Sequence, residues 1–206
     1  MKAVLISIHP KYCKLIADGK KTIEVRKTKP NLQMPFKCYI YATKPKNNFD
    51  KGLFRLKSDI VGIVHKTNYK TAKRMGTELL SGKIIGEFVC DMVYRFARFL
   101  PCEDKDFCIY DIQSSVLEQT CLEIGEIDNY LRKSDGYGWN ISQLKIYDKP
   151  KELGEFYSIP KSGSDCCIGC IYHETPLEEM PCKICTGERK YLYRPPQSWC
   201  YVEELE

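Results

Sequence analysis

The sequence predicts an α+β fold that is built mainly from short strands, with a few helices between them. Short segments are apolar or alternate apolar with polar residues, as in KAVLISI at 2–8. Amphipathic stretches with helical spacing lie between these segments and end at a glycine, as at Gly19. Near Ser158 the composition changes to SIPKSGSD, which is rich in Ser, Pro and Gly, so we place a boundary there.

The first half of the chain is predicted to hold five strands and two helices. The strands cover residues 2–8, 21–27, 37–43, 58–66 and 84–96. Pro10 begins the first helix and Gly19 ends it, and the second helix covers 71–82, from Thr71 to Gly82.

The stretch 84–96 is the longest strand signal in the chain. Every even position in it is apolar or glycine, so Glu87, Asp91 and Arg95 share the other face. We expect that polar face to meet water or a ligand, or its charged residues to pair with one another.

The second half is predicted to continue with two helices and a strand. Ser115 and Glu118 form a capping box for a helix over 115–124, which Gly125 ends. A second helix follows at 126–133. A strand over 139–148 and a short helical turn within 150–157 lead to the boundary near Ser158.

Composition and charge restrict the class of protein. The 206 residues are 43% apolar and 29% charged, which is typical of an ordered globular protein. The net charge of +5 permits an anionic partner without requiring one, and residues 11–74 are rich in lysine. No apolar run reaches the roughly 20 residues of a membrane span, and the start does not resemble a signal peptide. We therefore expect a cytoplasmic protein without membrane contact.

The twelve cysteines fall into two groups. In a cytoplasmic protein they need an explanation other than disulfides. Six lie among apolar neighbours, where we expect them to be small buried hydrophobes: Cys13, Cys38, Cys90, Cys102, Cys108 and Cys121. The other six crowd into the last forty residues or so.

The second group predicts a structural zinc site. Two C-x-x-C pairs are separated by eleven residues, so that four thiolates could surround one ion: Cys167, Cys170, Cys182 and Cys185. Cys166 and His173 are alternative ligands by spacing. Reduced surface thiols are the competing interpretation. Four protein ligands leave no open coordination position, so the zinc would be structural, not catalytic.

The stretch DGKKTIEVRK at 18–27 is densely charged just after a helix stop. In a strand, Thr22, Glu24 and Arg26 share one face, and Lys21 lies at the strand mouth. Glu24 could hold the Arg26 guanidinium in place and leave its other donors for a ligand. A charged strand edge that discourages strand pairing is the alternative, and spacing alone does not decide between them.

This stretch resembles the G-x-K-x-x-E-x-R signature of the ASCH superfamily, with Gly19, Lys21, Glu24 and Arg26 in the four places. The opening MKAVLISIHPKYCKLI resembles the first strand and helix of such domains. The segments GYGWNISQLKIYDKPKELGEF and RPPQSW resemble the closing segments of bacterial and phage-borne ASCH proteins. The resemblance spans about 1–158 and 191–203.

The resemblance implies a β-barrel related to PUA domains, with the signature at the mouth of a cleft that binds RNA or a nucleotide. It also implies an organisation in which residues 1–158 form the barrel, 159–190 form a zinc-binding insertion, and 191–206 return the last strand to the barrel. The inserted module would extend the surface or dock another protein.

Some members of the superfamily are enzymes. One branch hydrolyses acetylcytidine with a lysine, a threonine and a glutamate, and its lysine corresponds to Lys21. The threonine of that branch corresponds to Glu24, so Thr22 would have to replace it, with Glu87 as a general base. A ribonuclease activity has also been attributed to an ASCH member. A hydrolase acting on a modified nucleoside or on RNA is therefore the alternative to a binding module.

Further residues are candidates for the ligand site. Tyr137 and Trp139 could stack on an unpaired base, although a tryptophan at a strand start is more often part of the core. Lys11 belongs to a set of lysines that either contacts phosphates or is simply solvated. His9 and His65 lie in no motif and are expected to be ordinary core or surface histidines.

Overall fold

The computed structural model describes residues 1–47, 50–56, 59–98, 110–132, 134–159 and 190–205. The strands in chain order are β1 (Lys2–Ile8), β2 (Ile23–Arg26), β3 (Phe36–Ala42), β4 (Lys51–Leu56), β5 (Asp59–His65), β6 (Glu78–Leu79), β7 (Ile84–Cys90), β8 (Val93–Arg98), β9 (Tyr110–Asp111), β10 (Gly136–Asn140), β11 (Ser142–Lys151), β12 (Tyr157–Ser158), β13 (Lys190–Tyr191) and β14 (Trp199–Glu203). The α-helices are α1 (Pro10–Ala17), α2 (Tyr69–Arg74), α3 (Ser114–Thr120) and α4 (Ile124–Leu131), and short 3-10 turns cover Lys66–Asn68 and Leu153–Glu155.

The predicted α+β class is confirmed, and the strands form three sheets. A seven-stranded sheet has the order β11-β7-β3-β1-β14-β12-β13, a four-stranded sheet has the order β2-β10-β8-β9, and β5-β4-β6 form the third. β1 lies parallel to β3 and antiparallel to β14, so the last strand of the chain pairs with the first. Within the described ranges none of the three sheets closes on itself, so the expected closed barrel is not observed.

The predicted strand 84–96 is two strands, which is a correction. The chain leaves the seven-stranded sheet after β7 and enters the four-stranded sheet with β8, and it bends at Asp91 and Met92. The predicted strand 139–148 divides in the same way at Ile141, between β10 and β11. The side chain of Asn140 donates to the Asp91 carboxylate at 2.7 Å, which joins the two bends. The segments β7–β8 and β10–β11 therefore each run from one sheet into the other and connect the seven-stranded sheet to the four-stranded sheet.

Several helix boundaries also differ from the prediction, and α2 begins at Tyr69, so Thr71 lies inside the helix and does not cap it. α2 ends at Arg74, not near Gly82, because Gly76 follows it with a positive φ and β6 then pairs with β4. α3 ends at Thr120 with Cys121 in the left-handed region, and Gly125 lies inside α4 rather than ending α3. The capping box forms at the start of α4, between Glu123 and Glu126, and not at Ser115.

The largest buried cluster lies between the seven-stranded sheet and α1, and includes Ile6, Ile16, Phe88 and Trp139. Cys13, Cys38 and Cys90 are fully buried, as predicted, whereas Cys121 is half-buried. Cys102 and Cys108 lie outside the described residues. Among the helices that are described, none is long and apolar enough to cross a membrane.

Candidate functional site

A cleft of about 1130 Å³ opens where the end of β1, α1, β2 and α4 approach one another. The loop after β3 and the turn at Leu153–Glu155 contribute further walls, as does the segment before β14. The charged part of its lining has both signs: Lys21, Arg26, Lys44 and Lys46 against Glu24, Asp50, Glu126 and Glu152. The cleft therefore offers both donors and acceptors to a ligand.

Three charged side chains from one short segment are buried in this cleft. Glu24 lies between two cations: its Oε1 is 2.9 Å from Arg26 Nη2, and its Oε2 is 3.5 Å from Lys21 Nζ. The side chains of Lys21, Glu24 and Arg26 are 1%, 7% and 8% exposed, respectively. The predicted pairing of Glu24 with Arg26 is confirmed.

Backbone carbonyls fix the two cations in place. Lys21 Nζ donates to the Thr120 carbonyl at 2.6 Å, at the end of α3, and Arg26 Nη2 donates to the Ser7 carbonyl at 2.7 Å. Arg26 Nη1 also donates to the Ser198 hydroxyl at 3.3 Å. Glu24 Oε2 and Arg26 Nε are buried without a hydrogen-bond partner among the described residues. Buried polar groups usually have a partner, but Arg55 Nε and Trp139 Nε1, which lie outside the cleft, also lack one among the described residues, so this feature alone does not identify a site.

Lys21 lies just before β2, at the strand mouth as predicted, and its buried side chain lines the floor of the cleft. Gly19 has φ +70°, a left-handed conformation that favours glycine, and it turns the chain back toward α1. The backbone N–H groups of Lys20 and Lys21 then both donate to the Leu15 carbonyl. This sharp turn directs the Lys21 side chain inward. Burial lowers the pKa of Lys21, although the neighbouring Glu24 carboxylate raises it in part.

β2 is buried throughout because β10 pairs with it along one edge and α3 also contacts it. All four of its residues are buried, including Glu24 and Arg26. β10 pairs with it antiparallel, with Trp139 opposite Glu24 and Tyr137 opposite Arg26. The ion pairs of the floor are therefore shielded from water, which strengthens them and makes each partner costly to remove.

The two further residues of the hydrolase hypothesis lie away from this floor. Thr22 precedes β2, and its hydroxyl donates to Gln119 Oε1 at 3.0 Å in α3. Glu87 lies in β7 of the seven-stranded sheet and accepts a hydrogen bond from the Tyr147 hydroxyl at 2.5 Å. Neither residue lines the cleft. The structure therefore does not bring Thr22 and Glu87 together with Lys21.

The expected polar face of 84–96 is likewise not one cluster. Glu87 bonds to Tyr147, Asp91 accepts from Asn140, and Arg95 pairs with Asp135 at 2.7 Å. The bend between β7 and β8 separates the three residues, so the predicted pairing among them is wrong.

Of the predicted aromatic residues, Trp139 cannot stack on a base. It is fully buried and packs edge-on against Phe36 and Trp199 in the core, so its ring presents no face to a ligand. Tyr137 is half-buried and lies outside the cleft lining, under the Lys29 ammonium. Lys11 is exposed beside the cleft and pairs with Glu126 at 3.8 Å.

Sequence reasoning missed the aromatic walls of the cleft. Tyr12, Tyr41, Tyr130 and Tyr193 line it, and Tyr12 lies 5.3 Å from Lys21 Nζ across its ring face. His9 also lines the cleft and caps α1 by accepting from the Lys11 backbone N–H, and burial lowers its pKa. Its place directly before Pro10, at a strand-to-helix junction, was the signal in the sequence.

The predicted zinc ligands Cys167, Cys170, Cys182 and Cys185 lie outside the described residues, as do Cys166 and His173. Among the residues with described positions, no group of three or more His, Cys, Asp or Glu side chains could hold a metal ion.

Comparisons with known proteins place the chain in a family. No curated protein matches it. The crystal structure of ASCH from Zymomonas mobilis is similar at 13% identity and a TM-score of 0.49, over 98% of this chain and 88% of that one. A serine-to-alanine mutant of that Zymomonas mobilis protein matches at 12% identity and a TM-score of 0.48, over 98% of this chain and 89% of the other. The family model of the ASCH domain matches residues 6–114, which is more than half of the sequence. The chain therefore belongs to the ASCH domain family.

Proposed function

We propose that this protein binds RNA or a nucleotide, and that the cleft takes up one nucleotide of the ligand. ASCH domains are generally linked to RNA binding. The observation that carries the proposal is the buried Lys21–Glu24–Arg26 group, which lines a cleft with tyrosine walls. Unpaired bases are commonly recognised by aromatic stacking together with hydrogen bonds to their edges.

Each part of the cleft has a counterpart in a nucleotide. Tyr130 and Tyr193 are exposed, so their rings are accessible to a base. The Glu24 carboxylate lines the cleft, and carboxylates accept from exocyclic amino groups, as they do with cytosine. The cations at the cleft walls, Lys44 and Lys46, suit a phosphate.

The experiment is a calorimetric titration with the four ribonucleoside monophosphates and with the corresponding nucleosides. Arg26→Lys keeps the charge but loses the forked donor geometry that spans Glu24 and Ser7, so we expect affinity to fall about tenfold or more. Arg55→Lys is the matched control, because Arg55 is equally buried but lies outside the cleft lining. Equal affinities for the two variants, or no binding by the wild type, would reject the cleft as the nucleotide site.

A hydrolase that acts on a modified nucleoside or on RNA is the second candidate, because the pKa of Lys21 is lowered by burial. A lysine with a lowered pKa can exchange a proton nearer to neutral pH, as general acid–base catalysis requires. Turnover of acetylcytidine that is lost in Lys21→Met and kept in Thr22→Ala would support this candidate. Since Thr22 bonds to Gln119 and lies outside the cleft, loss of turnover in Thr22→Ala would contradict the geometry.

We further propose that residues 159–190 form an inserted module that holds one structural zinc ion through Cys167, Cys170, Cys182 and Cys185. The paired C-x-x-C spacing supports the zinc. The flanking strands support the insertion, because β12 pairs with β13, with Tyr157 opposite Tyr191. The chain thus leaves and re-enters the sheet at neighbouring strands, so a short linker could replace the module.

Elemental analysis of the purified protein should find one zinc ion per chain. Cys182→Ser with Cys185→Ser should lose it, since two of four thiolates are removed. Cys121→Ser is the control, because Cys121 follows α3 directly and belongs to neither C-x-x-C pair. Full retention of zinc by the double variant would reject the assignment.

A further inference from the structure

The positive charge of this protein is concentrated in one segment. Residues 44–83 contain ten Lys and Arg against three Asp and Glu, a net charge of +7, whereas the whole chain carries +5. The rest of the chain is therefore slightly acidic. This segment includes the three-stranded sheet and α2, which lie beside the cleft.

Much of this charge is exposed and not neutralised by acidic partners. Besides Lys51, six exposed cations of the segment form no ion pair within the described part of the chain: Lys44, Lys46, Lys66, Lys70, Lys73 and Arg74. We call these six residues the basic surface. Lys66, Lys70, Lys73 and Arg74 follow one another at helical spacing through the 3-10 turn and α2, over about 12 Å at 1.5 Å per residue. Unpaired exposed cations keep their full capacity to bind phosphate.

Three residues of the basic surface lie at the cleft or next to it: Lys44 and Lys46 line the cleft, and Lys73 lines an adjoining depression. A second depression of about 570 Å³ is lined by Lys73 and Thr77, and it shares Lys44, Gly82 and Glu152 with the lining of the cleft. Gly82 has φ +96°, and a Cβ added there would come within 2.3 Å of Lys44 Cε. The glycine thus leaves room for the Lys44 side chain at the junction of the two depressions.

We infer that the ligand is a single-stranded RNA rather than a free nucleotide, and that its backbone runs from the cleft across Lys44 to Lys73 and Lys70. The inference rests on the proposed function, since it needs one nucleotide of that RNA in the cleft. A mononucleotide would occupy the cleft alone and leave the basic surface without a ligand. A strand of several nucleotides places successive phosphates along the row of unpaired cations, which fits the charge distribution.

The experiment compares the protein's affinity for a short single-stranded RNA of about ten nucleotides with that for a nucleoside monophosphate. Lys70→Gln with Lys73→Gln removes two cations of the basic surface, and neither residue packs in the core. Lys145→Gln with Lys149→Gln is the matched control on β11, with the same change of charge at exposed positions. Both affinities are measured at several salt concentrations by fluorescence anisotropy and calorimetry.

For Lys70→Gln with Lys73→Gln, RNA binding should weaken about three- to tenfold and the slope of log K against log salt should fall by about 1.4. Mononucleotide binding should be unchanged, and the control variant should match the wild type for both ligands. An equal loss in the two double variants, or an unchanged salt slope, would overturn the inference.

The remaining outcomes separate this inference from the proposed function. If the wild type does not bind mononucleotides but RNA binding still depends on Lys70 and Lys73, the cleft is rejected as the nucleotide site, the inferred path from it is overturned with it, and only the basic surface remains as an RNA site. If the double variant instead loses binding to phosphatidylserine vesicles and binds RNA normally, the surface serves a membrane and the inference is overturned.

Discussion

Two buried arginines, Arg26 and Arg55, have nearly the same contacts in different surroundings. Arg55 donates to the carbonyls of Tyr147 and Asp148, both at 2.6 Å, and pairs with Glu78 at 3.1 Å. Arg26 donates to the Ser7 carbonyl and pairs with Glu24. Each guanidinium thus combines backbone carbonyls with one carboxylate, as buried arginines need to do.

The carboxylate partners distinguish the two arginines. Glu78 is 44% exposed, so water still solvates the ion pair between Arg55 and Glu78. Arg55 also links the three-stranded sheet to β11 through its hydrogen bond to the Tyr147 carbonyl. Glu24 pairs with two cations, as Glu78 does with Arg55 and Lys83, but Glu24 is buried and its group lines a cleft. Burial of an arginine is therefore a poor indicator of a ligand site, whereas a buried carboxylate shared between cations beside a cleft is a better one.

The largest expected effect comes from replacing each of the two carboxylates, Glu24 and Glu78, by glutamine and comparing the losses in stability. Glu24→Gln leaves two buried cations without a counter-charge, so we expect it to lower the free energy of unfolding by about 3–5 kcal/mol. Glu78→Gln removes a half-exposed partner from Arg55, which keeps both carbonyls, so the expected loss is about 0–1 kcal/mol. Urea unfolding of both variants beside the wild type measures the two losses.

Similar losses for the two variants would show that the surroundings of the two arginines are energetically equivalent. In that case removing the carboxylate from the floor of the cleft would cost no more stability than removing one at the surface, and the burial of Glu24 would not distinguish the two arginines. Circular dichroism of both variants before unfolding checks that each one starts from a folded state.

The pairing at the centre of this comparison was predictable from local sequence. Glu24 and Arg26 are two residues apart in a strand, which places both on one face, and the structure pairs them at 2.9 Å. The buried contact of Lys21 was not predictable in this way. Its ammonium donates to Thr120, which is 99 residues away, and no local pattern specifies such a contact.

Periodicity also failed where the chain passes between sheets. The bend at Asp91 and Met92 has two residues, so the alternation of β7 continues in β8 with the same parity. A continuous strand and two strands joined in this way therefore have the same pattern. The same limit explains Trp139, whose burial depends on Phe36 and Trp199 from distant parts of the chain.

The cleft itself was beyond sequence reasoning for a related reason. Its walls come from segments that are far apart in the chain, and Tyr12, Tyr130 and Tyr193 belong to no common motif. A signature identifies residues that share one segment, such as Lys21, Glu24 and Arg26. Side chains that come together only through tertiary packing form no motif within one segment of the sequence.

A smaller effect than the loss of Glu24 is expected from the titration of Lys21, which has no counterpart beside Arg55. Burial lowers the pKa of Lys21 below the ordinary lysine value of 10.5. Between these two pKa values the unfolded chain binds more protons at this residue than the folded protein does, so the contribution of Lys21 to stability rises with pH. Glu24 opposes the shift, which keeps the effect moderate.

The measurement is the difference in free energy of unfolding between the wild type and Lys21→Met, followed from about pH 8 to about pH 10.5. The difference should move in favour of the wild type as the pH rises, because the methionine variant lacks the titrating group. Burial raises the pKa of Tyr41 in both proteins, so its titration is common to them. Lys20→Met, at the exposed neighbouring residue, is the control for removing a lysine charge from this segment. A difference that stays constant with pH would mean that Lys21 titrates like an exposed lysine, and the floor of the cleft would then be as well solvated as the surroundings of Glu78.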